Sequence, residues 1–123
     1  MSARLTPEQK ADREMTEAAL QRRVIYRARK HGWSVVHFHA SVVADADGER
    51  VYATAISGDA KGFPDLSLYR EGRRPLYVEL KRELTQPTPE QWAWLDRLIA
   101  CGQLAMVWRP SDLREKRIEA ILR

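Results

Sequence analysis

The sequence predicts an α/β protein in which helices flank one central mixed sheet, in the order α-β-β-β-α-β-α. Three observations carry that expectation. Helix-like and strand-like segments alternate along the chain, with several strands between the first two helices. The helix-like segments open on recognisable cap signals. The apolar spacing switches from helical to alternating between them. With 123 residues and a formal net charge of +4, the chain has room for one domain with a single core. Hydrophobic residues at 44% and charged residues at 31% exclude disordered, collagen-like and coiled-coil classes.

The first helix is expected from Pro7 to His31, with a break and a second cap at Thr16. Thr-Pro-Glu-Gln occurs at Thr6–Gln9 and again at Thr88–Gln91. Each reads as a capping box with proline at the first helical position. Leu20, Val24 and Ala28 form the buried stripe, with Glu17 and Gln21 beside it, and Gly32 ends the helix. Trp33–Phe38 reads as a strand and residues 40–56 as a hairpin turning at Asp45–Gly48. After a loop over Ser57–Gly62, Asp65–Tyr69 is a short strand, Glu71-Gly72 a turn and Leu76–Lys81 the next strand. A helix follows from Pro89 to Ala100, with Trp92, Leu95 and Ile99 as its expected core face and Cys101 packed at its end. Leu104–Trp108 is a strand, Pro110 stops it, and Ser111 is expected to cap a last helix to Leu122. Residues 1–15 read as an N-terminal helical extension and 16–123 as the domain proper.

The chemistry concentrates in Tyr77-Val78-Glu79-Leu80-Lys81. On a strand Tyr77, Glu79 and Lys81 point one way. A carboxylate and an ammonium on a central strand are costly to bury, and a surface ion pair is the ordinary explanation of such a pair. The upstream Gly62-Phe63-Pro64-Asp65-Leu66 changes the weighting. Pro64 fits only where a strand begins, so Asp65 leaves a tight turn. A short connection lets the two strands pair antiparallel and brings Asp65 toward Glu79. Two carboxylates and a lysine there suit a hard divalent cation and an attacking water.

Gly62-Phe63-Pro64-Asp65-Leu66 followed by Glu79-Leu80-Lys81 resembles the PD-(D/E)XK nuclease signature. With Glu17 in the first helix and Gln91 in the next, the pattern resembles the virus-type replication-repair nuclease (VRR-NUC) domain, from about Thr16 to Leu122. Trp108-Arg109-Pro110-Ser111-Asp112 is similar to small phage-type members. The stretch 42–59 is longer than in compact relatives. The resemblance implies a restriction-endonuclease-like core and a metal-dependent DNA endonuclease. Asp65 and Glu79 would bind Mg²⁺, with Mn²⁺ able to substitute. Glu17 would be a further ligand and the Leu80 carbonyl would lend an oxygen. Lys81 would handle the water, and Gln91 would either support the site or simply cap its helix. Glu17 has its own plain reading, an acid in a first helical turn. Small stand-alone relatives look like dimeric enzymes that resolve Holliday junctions, so structured DNA and a second copy of the chain are the implied partners. The alternatives are a non-catalytic DNA-binding or assembly module on the same fold, and a nuclease for flaps or other DNA.

Basic residues give the expected phosphate contacts, Lys61, Arg73, Arg74, Arg23 and Arg27, within a wider set on the first helix that includes Arg22, Arg29 and Lys30. A solvated helix face is the plain reading of any one of them. No base-reading helix or finger is present, so DNA shape is the expected target. His37 and His39 share a strand face, but the four tightly spaced ligands of a structural zinc site are missing. Neither a phosphate-loop nor a Gly-x-Ser-x-Gly motif is present, and no organic cofactor is expected. Trp92 and Trp94 cannot both face the core; stacking on a base or packing at a subunit interface would use one of them, and partial burial is the plain reading. No apolar run approaches the ~20 residues of a membrane span. Met1–Thr16 is not a signal peptide, and Cys101 has no internal partner. The expected location is the cytoplasm of a bacterial or phage-infected cell.

Overall fold

The structure is a computed structural model that describes residues 4–37, 40–44, 50–54 and 59–123. Helices α1 (Pro7–Glu14) and α2 (Glu17–Lys30) lead into strand β1 (Ser34–His37). The hairpin strands β2 (Ala40–Ala44) and β3 (Arg50–Thr54) come next, then β4 (Leu66–Tyr69) and β5 (Leu76–Leu80). Helix α3 (Pro89–Ala100), strand β6 (Leu104–Trp108), and helices α4 (Pro110–Arg114) and α5 (Arg117–Leu122) complete the order. The sheet runs β1-β4-β5-β6. β4 is antiparallel to β1 and β5, and β6 is parallel to β5. The mixed sheet flanked by helices is therefore the one the sequence predicts. β2 and β3 pair as a separate antiparallel hairpin, Ala40 opposite Thr54, while its expected turn at Asp45–Gly48 lies outside the described residues.

Local signals explain most boundaries. Both Thr-Pro-Glu-Gln segments form complete capping boxes. Thr16 restarts the chain as α2 by accepting the Ala19 N–H at 3.1 Å. Leu20, Val24 and Ala28 on α2 are fully buried. They meet Leu66 and Leu68 of β4, Leu76, Val78 and Leu80 of β5, and Ile118 and Leu122 of α5. These alternate strand positions define the sheet face under α2 and α5. Tyr77 points to the other face, where Phe63 stands edge-on between it and Trp94 of α3. Each of those aromatic contacts adds modestly to the area buried.

Three expectations are corrected. The buried stripe of α3 is Leu95 and Leu98, with Gln91 and Trp94 half-buried. Trp92 is 44% exposed and Ile99 56% exposed, because they sit about 100° round the helix from that stripe. Cys101 is exposed at the helix end rather than in the core. The last helix is two helices. Pro110 takes the first helical position, so Arg109 is the cap residue, and Asp112 accepts the Arg109 N–H at 2.8 Å. Lys116, with φ 63°, separates α4 from α5.

α1 packs against α4. The buried Asp12 holds Arg114 there at 2.7 Å. Among the described residues no helix is long and apolar enough to cross a membrane.

Candidate active site

The site forms where β4 begins and β5 ends. Leu66 pairs with Val78, so the residue before β4 faces the residue after Val78, and Asp65 comes opposite Glu79. Its carboxylate oxygen Oδ2 accepts the Leu80 N–H at 2.8 Å. Gly62 creates the turn that delivers Asp65. Its φ is +85°, and a Cβ there would come within 2.6 Å of the Glu90 carbonyl carbon and 2.9 Å of the Gln91 nitrogen. Glycine is needed on both counts, and the contact locks the turn onto the first turn of α3. Pro64 is fully buried beside it.

Glu79 is 1% exposed. Lys81, 8% exposed, lies just past the strand, where its N–H donates to the Trp108 carbonyl at 3.1 Å. Lys81 Nζ is 3.8 Å from Glu79 Oε1 and 3.6 Å from Glu17 Oε1. The sequence-predicted Asp65, Glu79, Lys81 and Glu17 are thus brought together, with the Leu80 backbone between the strands. Burial, reinforced by the negative Asp65 and its hydrogen bond, pushes the Glu79 carboxyl up to about 9. Glu17 adds to the rise and Lys81 opposes it. In the metal-free chain Glu79 therefore favours its protonated form at neutral pH.

These residues fit a hard divalent cation. Glu79 Oε2 is buried and has no hydrogen-bond partner among the described residues. It faces a second carboxylate, so an oxygen donor set is in place and a proton occupies the charge balance a cation would provide. Asp65, Glu79 and the Leu80 carbonyl are the groups that would hold the ion. Among the described residues no three His, Cys, Asp or Glu side chains already gather as a metal cage. Glu17, half-exposed, meets Lys81 instead.

The other predicted residues are placed as follows. Gln91 Oε1 accepts the Thr88 N–H at 2.8 Å and so serves the cap of α3. Lys61 is exposed and pairs with Glu90 at 3.7 Å, at the same helix end. Arg27 pairs with Glu119 at 3.4 Å, and Arg23 is exposed on α2. Arg73 and Arg74 are not brought to the site. They sit in the turn at the far end of the β4–β5 hairpin. Arg73 donates to the Arg123 and Ile121 carbonyls and lies 5.3 Å over the Trp33 ring, and Arg74 donates to the Gly102 carbonyl. His37 lies in register with Leu66, and His39 falls outside the described residues.

Sequence reasoning noted Arg109 only as part of the Trp108–Asp112 segment and gave it no role at the site. Its guanidinium donates to the carbonyls of Arg82 at 2.8 Å and Thr85 at 2.6 Å, and so shapes the loop that leaves Lys81. Backbone carbonyls carry no sequence signature, so nothing in the sequence marks this contact.

A central mixed sheet with a half-buried Asp65 and a buried Glu79 and Lys81 at one end is the architecture of a PD-(D/E)XK-like nuclease fold. The VRR-NUC domain family model matches residues 7–111 of the 123, and the chain belongs to that family. It is a nuclease-type, DNA-processing domain, from a family that generally uses divalent metals. Neither a curated protein nor a solved structure gives a match to the chain.

Proposed function

We propose that the protein is a Mg²⁺-dependent, structure-selective DNA endonuclease of the Holliday-junction-resolving type, with Mn²⁺ able to substitute. The observation that carries the reading is the half-buried Asp65 facing the buried Glu79, with Lys81 beside it. Asp65 and Glu79 would hold the ion, the Leu80 carbonyl would lend an oxygen, and Glu17, which meets Lys81 in the metal-free chain, would contribute directly or through water. A divalent cation at this position supplies charge neutralisation at the phosphate and eases deprotonation of water. Lys81 positions the attacking water and steadies charge developing on the phosphoryl oxygens. Gln91 acts through the cap of α3, holding the helix start against the Gly62 turn behind the site, and Lys61 and Arg23 approach phosphates on either side.

Two symmetric cuts in a four-way junction call for two sites, so the active form is a homodimer. Residues 1–15 are an extension of the domain that begins at Thr16. The test is a panel of junction, flap, duplex and single-stranded DNA, incubated with Mg²⁺, Mn²⁺ or EDTA. Junction cleavage that needs the metal and vanishes in Asp65→Asn and Glu79→Gln is expected. Metal-independent binding with no cleavage of any substrate would instead identify a non-catalytic module. Preferential flap cleavage would keep the chemistry and replace the junction.

A further inference from the structure

We propose that the outer side of α2 binds an unpaired nucleotide strand leading away from the active site; this rests on the metal-dependent endonuclease chemistry above and not on the junction preference, since a fully paired four-way junction offers no such strand. α2 divides its surface sharply. Leu20, Val24 and Ala28 face the core, while Glu17, at the first turn, meets Lys81. Beyond Glu17 the helix carries no acid and five cations. Four of them, Arg22, Arg23, Arg29 and Lys30, are exposed and enter none of the ion pairs seen among the described residues.

Tyr26 lies among them and is 68% exposed. It forms a wall of an open hollow of about 630 Å³, together with Ile25, Gln21, Arg22, Arg29 and Lys30. Ile25 packs against the core and gives the hollow an apolar floor. An exposed ring over an apolar floor, rimmed by three cations, matches the two needs of a single strand: a stacking platform for the base and charge for its phosphates. A duplex hides its base faces and has no use for the ring.

The placement connects the hollow to the chemistry. Gln21 is one turn from Glu17, and Arg22 to Lys30 spans roughly 12 Å of helix at ~1.5 Å per residue. A strand leaving the scissile phosphate near Lys81 can therefore pass Gln21 and run along this face. Simple polyanion attraction explains the cations but not the aromatic wall and apolar floor between them.

The experiment uses the full-length Asp65→Asn protein in EDTA and measures binding by fluorescence anisotropy. The probes are a blunt duplex and the same duplex with a single-stranded tail, each at several salt concentrations. The tailed DNA is expected to bind on the order of tenfold more tightly. Tyr26→Ala removes that advantage and leaves blunt-duplex affinity unchanged, whereas Tyr26→Phe retains it. Lys30→Ala lowers the salt slope of tail binding by about 0.7, the contribution of one single-strand phosphate contact. Equal affinity for both probes, or a tail advantage that survives Tyr26→Ala, overturns the proposal. So does loss of the advantage in Tyr26→Phe, or equally tight, Tyr26-dependent binding to phosphatidylserine vesicles. Binding is read without metal or cleavage, so failure of the nuclease reading shows separately, as absent cleavage by the wild-type chain.

Discussion

Glu79→Gln should stabilise the metal-free protein by an amount that grows with pH. The Glu79 carboxyl titrates near 9 in the folded chain against 4.5 as its ordinary value. Between those values the folded state holds a proton that the unfolded state has released. Stability is thus fully present below pH 4.5 and is lost as pH rises toward 9, at about 1.4 kcal/mol per pH unit. From pH 4.5 to 7 the loss is about 3 kcal/mol. Glutamine keeps the size and a donor for Asp65 but does not titrate. The gap between variant and wild type should then be near zero at pH 4.5–5 and on the order of 3 kcal/mol at pH 7. It should widen further at pH 8. Urea denaturation in EDTA across this range measures it, with unchanged slope guarding against a changed unfolded state. Parallel pH–stability curves for the two proteins would refute the reasoning, since Glu79 would then not hold its proton in the fold.

Other substitutions test the supports of the site. Asp65→Asn keeps an oxygen to accept the Leu80 N–H, so its folding stability should stay within about 1 kcal/mol of wild type. Asp65→Ala strands that N–H and should lose ~1–3 kcal/mol in the same denaturation assay. Gly62→Ala should cost at least ~2 kcal/mol, because the left-handed backbone and the collision with the first turn of α3 act together. A urea midpoint equal to wild type would contradict that packing. Arg109→Lys keeps the charge but loses the fork that reaches two carbonyls, for a loss of about 2 kcal/mol. Faster hydrogen exchange in residues 82–86 should accompany it. A chain starting at Thr16 should still fold with cooperative unfolding, at a lower melting temperature, since α1 is tied to α4 through Asp12 and Arg114. Loss of cooperative unfolding would make residues 1–15 part of the domain.

What was legible in the sequence was short-range or periodic. The two capping boxes span four residues each, and their partners are fixed by helix geometry alone. The stripe of Leu20, Val24 and Ala28 needs only the helical period. The meeting of Asp65 and Glu79 could be anticipated because a hairpin with a short turn fixes its own register. The α3 face was misjudged because Trp92 and Ile99 are apolar and pull the expected stripe one residue round. Their neighbours Leu95 and Leu98 fill the space that the sheet actually offers. Arg73 and Arg74 read as phosphate contacts because a sequence reports charge and clustering but not where the side chains lie. Their carbonyl partners lie at the end of the chain and beside α3, a tertiary relation with no local trace. The αL turn at Lys116 is equally silent, since no glycine or asparagine marks it.

The site depends on chain ends rather than on any single strand. α2 begins, β4 begins, β5 ends and α3 begins at one end of the sheet. This is why Glu17, Asp65, Glu79, Lys81 and the Gly62–Gln91 contact belong to one neighbourhood. The antiparallel β4–β5 pair forces the two carboxylates together, and the parallel β6 holds the Lys81 backbone through Trp108. Such an arrangement leaves a buried acid with an oxygen unpartnered among the described residues, which a well-packed apolar residue would avoid at lower cost. A fold retains a group of this kind where a ligand completes it. The same α2 that delivers Glu17 then carries its basic, tyrosine-bearing side outward from that point, so one helix ties the core, the chemistry and the path of the substrate strand together.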